Sequence, residues 1–277
     1  MALVPFPSPS PLEPRDDDDP RIELTDAEPL DDSSRMSFLE HLDELRKRLI
    51  YSVYSLVAGC AIAFLFVGRI QHALWTPLVE RLQAVRPDAA FMYTAGFEPF
   101  MLTMKIGALA GLMLATPLIM YQLWLFIAPG LYANEKKYAI PFVLFCTIFF
   151  VLGATFSHLV AFPWAWEWFI GWQTSYMEFR PSIAETFGLY VKMLLGMALV
   201  FQMPTVVFFL ARMRMVTAGF LARNTKYAVL IIFIIAAVIS PGTDVVSQAI
   251  MAGPMLALYG FSIVVAWAVA PRKPRNA

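Results

Sequence analysis

The chain has 277 residues, of which 59% are hydrophobic and only 15% charged, and that leaves too little polar surface to wrap a soluble core of this size. A water-soluble globular domain is excluded. The formal net charge of zero hides a segregation, with ten acids against two arginines in residues 1–34 and nineteen Lys and Arg against eleven acids in residues 35–277.

The first segment, residues 1–35, combines Pro-rich pieces with the run Asp16-Asp17-Asp18-Asp19 and has no periodic apolar residues. It cannot bury enough surface to offset its ordering entropy, so a disordered acidic tail is predicted. It lacks the basic start and apolar stretch of a secretory signal, so the first hydrophobic segment is expected to stay in the mature protein. "SFLE" (Ser37 to Glu40) then reads as a capping box that starts a helix. Phe38, Leu42, Leu45 and Leu49 line one of its faces, as expected of a turn that lies in the membrane interface and bends into the first span. Within "HLDELRKRL" (His41 to Leu49), Asp43 with Lys47 and Glu44 with Arg48 stand four residues apart. The plain reading is paired helix-surface charges worth about 0.2–0.5 kcal/mol each, beside cations that anchor the segment on the cytoplasmic side.

Crossing about 30 Å of hydrocarbon takes about 20 apolar residues. Five segments qualify: Leu49 to Val67, Phe100 to Ile127, Ala139 to Phe162, Met193 to Ala211 as the core of a longer helix starting near Ser182, and Val245 to Ala270. A sixth, Tyr227 to Ser240, has 14 residues, or about 21 Å. Pro241-Gly242-Thr243 is a turn signal that would reverse it into the last helix, and six spans place both termini on one side. That side would hold twelve membrane-flanking cations and the other six, so both termini are expected in the cytoplasm, with residues 271–277 as a basic cytoplasmic tail. The connections Gly68 to Phe97 and Pro163 to Glu185 are long and carry most of the tryptophans. They are expected to form an outer cap of short interfacial helices. "RIQHALWTPLVERLQ", with Ile70, Leu74, Leu78 and Leu82 at four-residue steps around Pro77, is the first of these.

Several polar groups interrupt the apolar pattern. In "FIAPGLYANEKK" (Phe126 to Lys137), Pro129 and Gly130 end the second span, Asn134 is a candidate N-cap and Glu135 stands in the first turn of the next helix, where a carboxylate complements the helix dipole. Gln202 sits mid-span beside Pro204. A mid-span amide is costly in lipid and faces protein or a water-filled recess. Ser240, Asp244, Ser247 and Gln248 form a second group, in which Asp244 with Ser247 reads as a helix cap. Lys105 and Lys192 lie near helix ends, where they can snorkel to water. No phosphate-cradling, zinc-peptidase or serine-hydrolase motif occurs, and the three histidines are far apart in sequence. No enzyme, metal or cofactor is expected. Cys60 and Cys146 fall in apolar runs, where a thiol is a small hydrophobe.

Three stretches together are recognisable: "HLDELRKRL", "TPLIMYQLWLFIAPGLYANEKK" (Thr116 to Lys137, with Pro117 second), and "PGTDVVSQ" (Pro241 to Gln248). Their order and spacing resemble the TatC family, the receptor subunit of the twin-arginine protein translocase, over roughly residues 36–270. The resemblance implies an all-α membrane protein of six transmembrane helices in a concave, glove-like bundle with short helices 5 and 6, in the bacterial inner membrane. It implies binding of Arg-Arg signal peptides of folded cargo, single-span partners of the TatA and TatB type, a homo-oligomer in the full complex, proton-gradient-driven transport and no nucleic acid. The two signal-reading glutamates would be Glu44 and Glu135, with Arg46, Phe126 and Pro129 contributing. Pro77 and Asp244 match further positions on which the family depends. Many members carry glutamate where Gln202 stands, in a buried polar patch that contacts partner helices; glutamine keeps the hydrogen bonds and removes the charge. A polytopic solute transporter with Lys105, Lys192 and Gln202 along its pathway is the competing reading.

Overall fold

The computed structural model describes residues 38–127, 139–174, 179–240, 242 and 244–269. The acidic tail, Ser37, Pro129, Asn134, Glu135, Tyr176, Pro241, Thr243 and the basic C-terminal tail lie outside them. The chain divides into two compact units, Met1–His41 and Leu42–Ala277. Of the first unit the described part is the opening turn of one helix.

That helix, α1, runs without interruption over Phe38–Leu65. Its last residues turn at Phe66, whose N–H donates to the Ala63 carbonyl, straight into α2, Val67–Val85. The four-residue stripe expected in α2 is the one that packs, since Leu74, Leu78 and Leu82 are buried. The remaining helices are α3 (Glu98–Ile127), α4 (Ala139–Phe156), α5 (Phe162–Ile170), α6 (Ile183–Val200), α7 (Met203–Arg212), α8 (Ala218–Arg223), α9 (Thr225–Ile239) and α10 (Val245–Val269). An isolated parallel bridge joins the segments leading into α3 and α6: Met92 N–H donates to Pro181 O, and Ile183 N–H to Met92 O.

Five stretches are long and apolar enough to cross a membrane, and α9, at 15 residues, is the shorter apolar helix beside them. Two expectations about lengths are corrected, and the fourth span, which keeps its expected extent at Ile183–Arg212, is interrupted. The third span does not stop at Phe162. A π-helical turn, Ser157–Ala161, joins α4 to α5, with Phe162 N–H donating to Ser157 O, and Pro163 follows directly on that turn, at a point where its missing N–H interrupts a regular α ladder. The fourth span is broken at Phe201–Gln202 between α6 and α7, because Pro204 has no N–H to continue the ladder. The last helix is not short, since α10 runs 25 residues through Pro254.

The main core gathers residues from α2, α3, α4, α5, α6, α9 and α10. In its aromatic centre Trp75 meets Phe91 edge to face and Phe91 stacks on Trp166, and Trp166 Nε1 donates to Leu78 O at 3.3 Å. Glycines set the closest helix approaches. A Cβ on Gly153 of α4 would lie 2.8 Å from Ala198 Cα and Met197 O of α6, and one on Gly59 of α1 would lie 2.5 Å from Gly111 O of α3. Small residues at crossings are how helices gain packing contacts where no hydrophobic force separates them from lipid.

Candidate functional site

The first candidate residues sit on the early turns of α1. Glu44 and Arg48, one helical turn apart, are paired: Arg48 Nε donates to Glu44 Oε1 at 2.6 Å. Their side chains are 18% and 22% exposed, respectively. Arg48 also reaches across to α3, with Nη1 donating to Gln122 Oε1 at 3.5 Å. The guanidinium therefore bridges the α1 carboxylate to α3. Phe126 follows Gln122 by four residues, so the two lie along one stripe of α3 one turn apart, just before the segment that carries Pro129 and Glu135. Arg46 is exposed, two residues from Glu44 and on another side of α1.

The plain reading of the charges holds for Glu44 with Arg48. The bridge to Gln122 was not visible in the sequence, because the partners are 74 residues apart. Pro117 is half-buried inside α3. Pro77 lies inside α2, at the edge of a cavity of about 100 Å³ that His158 and Phe162 also line. His158, in the π turn, meets the Tyr190 hydroxyl of α6 at 3.2 Å.

The second group divides in two. Gln202, at the break between α6 and α7, is buried and donates from Nε2 to Cys146 O of α4 at 2.8 Å. One of its two amide N–H groups holds α4 to the α6–α7 joint. At the start of α10, Asp244 acts as the expected cap: its Oδ2 accepts from Ser247 N–H at 2.8 Å and its Oδ1 from Ser247 Oγ at 2.7 Å. Those bonds hold the Asp244 carboxyl below its ordinary value. Gly242 is required beside it, since a Cβ there would stand within 3 Å of Ser247 Oγ. Gln248 ties α10 to α9 by donating to Phe233 O at 2.7 Å. Ser240 is buried, and its hydroxyl has no hydrogen-bond partner among the described residues. No group of three or more His, Cys, Asp or Glu side chains suited to a metal ion occurs among the described residues.

The family described as Sec-independent protein translocase protein (TatC) matches residues 40–254, the span that contains α1 through the first half of α10. The chain belongs to the TatC family. A TatC protein of Koribacter versatilis is 40% identical over 243 residues, 87% of this chain and 89% of the relative. One of Desulforapulum autotrophicum is 38% identical, covering 84% and 85%. A solved structure described as the twin arginine translocase receptor TatC in DDM superposes with a TM-score of 0.72 at 33% identity, over 82% of this chain and 99% of that one. As a TatC protein the chain is a multi-pass membrane protein of the Sec-independent translocase, a transport component and not an enzyme.

Proposed function

We propose that this chain is the receptor subunit that binds Arg-Arg signal peptides of folded cargo, with Glu44 and Glu135 as the two carboxylates that read the arginine pair. The observation that carries the reading is the state of Glu44. It is a partly sheltered carboxylate already holding a guanidinium, which links it to Gln122 on the α3 stripe that leads through Phe126 toward the segment bearing Glu135. A guanidinium presents a planar fork to a carboxylate, whereas an ammonium is a point charge, so an Arg-Arg signal should outbind a Lys-Lys one. A charge-assisted bond contributes about 1.5–3 kcal/mol when partly desolvated, against about 0–1 for an exposed pair. The apolar part of the signal must therefore lie against the membrane-embedded helices, with Phe126 and Pro129 shaping the approach.

In this reading α9 is a sixth crossing segment, both termini face the cytoplasm, and the protein lies in the bacterial inner membrane. At 15 residues α9 spans about 22 Å, so thinned lipid or partner helices cover the shortfall. The polar residues Ser240, Asp244 and Gln248, and separately Gln202, then mark where single-span subunits of the TatA and TatB type dock. Proton-gradient-driven translocation would follow in a larger homo-oligomeric complex.

The decisive experiment is photocrosslinking of a signal peptide to the inserted full-length chain, in Arg-Arg and Lys-Lys versions. The Arg-Arg peptide should crosslink, the Lys-Lys peptide should do so about tenfold less, and Glu44→Ala and Glu135→Ala should each cut the Arg-Arg signal by a similar factor. Equal crosslinking of both peptides to all three proteins would remove the site.

A further inference from the structure

Apart from Lys47 near the start of α1, the lysines inside the spanning stretches are Lys105 in α3 and Lys192 in α6. Both are exposed, and neither makes an ion pair or hydrogen bond with any other described residue. Lys105 is seven residues into α3 and Lys192 nine into α6, about 10 and 14 Å along their axes. Both helices start at the end of the bundle that carries α2 and the Met92–Ser182 bridge, so the two cations lie in the same leaflet. A cation at that depth is expensive without a counter-charge. Snorkelling relieves part of the cost but does not account for what lies beside them.

Lys105 is the one charged residue lining an otherwise apolar recess of about 470 Å³, whose walls come from Leu56 and Cys60 of α1, Leu109 of α3, and Gly188 and Val191 of α6. The recess is open at Gly188, where an added Cβ would meet no atom within 4 Å. Lys192 follows Gly188 by four residues, and so stands on the edge of the same face of α6. An apolar slot with the Lys105 ammonium at its outer end on α3 and the exposed Lys192 one turn beyond Gly188 on α6 has the chemistry to hold an amphiphile with an anionic head. A transmembrane helix of a partner is about 10–12 Å across, so a single turn of it would use up the whole recess. An extended acyl chain needs no such width.

We propose that this recess is a binding site for an anionic phospholipid, with one acyl chain between α1, α3 and α6 and the phosphate on Lys105 and Lys192. The assignment rests on the membrane placement of α3 and α6, and stands or falls separately from the signal-peptide reading.

The test is native mass spectrometry of the full-length chain released from nanodiscs that contain phosphatidylglycerol and phosphatidylcholine in equal amounts. Wild-type protein should retain phosphatidylglycerol preferentially. K105Q/K192Q should lose at least about tenfold of that preference, since even one charge-assisted contact is worth that much, and K105R/K192R should keep it. Gly188→Leu, which fills the slot, changes no charge and replaces a poor helix former with a good one, should lose it too. Lys226→Gln, which removes a cation outside the recess, should leave it intact. Equal retention of the two lipids by wild type overturns the site, as does a preference that survives both K105Q/K192Q and Gly188→Leu. Displacement of the lipid by soluble glycerol phosphate at equal concentration would overturn the acyl-chain slot. Retention of an acidic membrane peptide in place of lipid would overturn the choice of ligand.

Discussion

Helices α1 and α6 are both apolar and both belong to spanning stretches, yet they are used in opposite ways. Half of the most apolar window around α6 and α7 is buried by the chain itself, against 11% for α1. On α6 the buried set includes Phe187, Tyr190, Met193, Leu194, Met197 and Ala198. Among the residues of α1 whose burial is described, Gly59 and Ala63 are the buried ones, and Gly59 is where α3 approaches. Hydrophobicity alone does not distinguish the two helices, because lipid and protein are equally apolar neighbours. What distinguishes them is who covers the surface: α6 is scaffold, and α1 offers Tyr54, Val57 and Leu65 to lipid or to partners.

The contrast is broken most directly by truncation. Met197 is fully buried at the α4–α6 contact, and Met197→Ala should cost about 2–5 kcal/mol, the range for emptying a core site. Val57→Ala on α1 should cost under about 0.5 kcal/mol. Thermal unfolding in one detergent measures both, and comparable losses would mean that α1 is as much a part of the scaffold as α6.

Gln202→Leu sharpens the same comparison with a smaller effect. Its amide donates to Cys146 O in a buried setting, and interhelical bonds in membranes are worth about 0.6 kcal/mol on average and up to about 1.7. A loss in that range, read as a lowered melting temperature, fits a brace between α4 and the α6–α7 joint. An unchanged melting temperature with lost transport would instead point to a partner-facing role.

The α9–α10 turn gives a pH-dependent case. The Asp244 carboxyl is held below its ordinary value of 3.8 by the bonds from the Ser247 hydroxyl and N–H. A group whose folded value is depressed stabilises the fold above its unfolded value, and that contribution is lost as pH falls through the folded one. Amide protection at the start of α10 should therefore be flat from neutral pH to about 4 and fall below that. Asp244→Asn should flatten the acid limb, and hydrogen exchange at Ser247 is the reporter.

These particulars also show where the sequence was readable. The α2 stripe was, because Leu74, Leu78 and Leu82 follow a helical period against a core on one side. So were the Asp244 cap and the shortness of α9, since both are local. The resemblance implies a short last helix, whereas the apolar run Val245 to Ala270 is long enough to cross, and α10 follows the run. The π turn at Ser157–Ala161 was hidden, because a five-residue hydrogen-bond step leaves no compositional trace. Gln202 was legible as a costly mid-span amide but its partner was not, since Cys146 O is a backbone atom 56 residues away. Around Glu44 the motif identified the carboxylate, and only the folded chain adds that Arg48 occupies it from one side and leans on Gln122 from the other.

That last contact yields the smallest predicted effect and the most direct test of how α1 is used. If the resting carboxylate is held by Arg48, an incoming guanidinium must displace it before binding, and the energy to be displaced is that of a helix-surface pair, about 0.3–0.5 kcal/mol. Arg48→Gln should then leave stability within about 0.5 kcal/mol and tighten binding of an Arg-Arg peptide by about twofold. The gain should be larger at low salt, where the competing charge is least screened. A weakening comparable to that of Glu44→Ala would carry the opposite meaning. Arg48 would then be aiming the carboxylate by fastening it to α3, and the bridge to Gln122 would be part of the receptor surface and not a latch upon it.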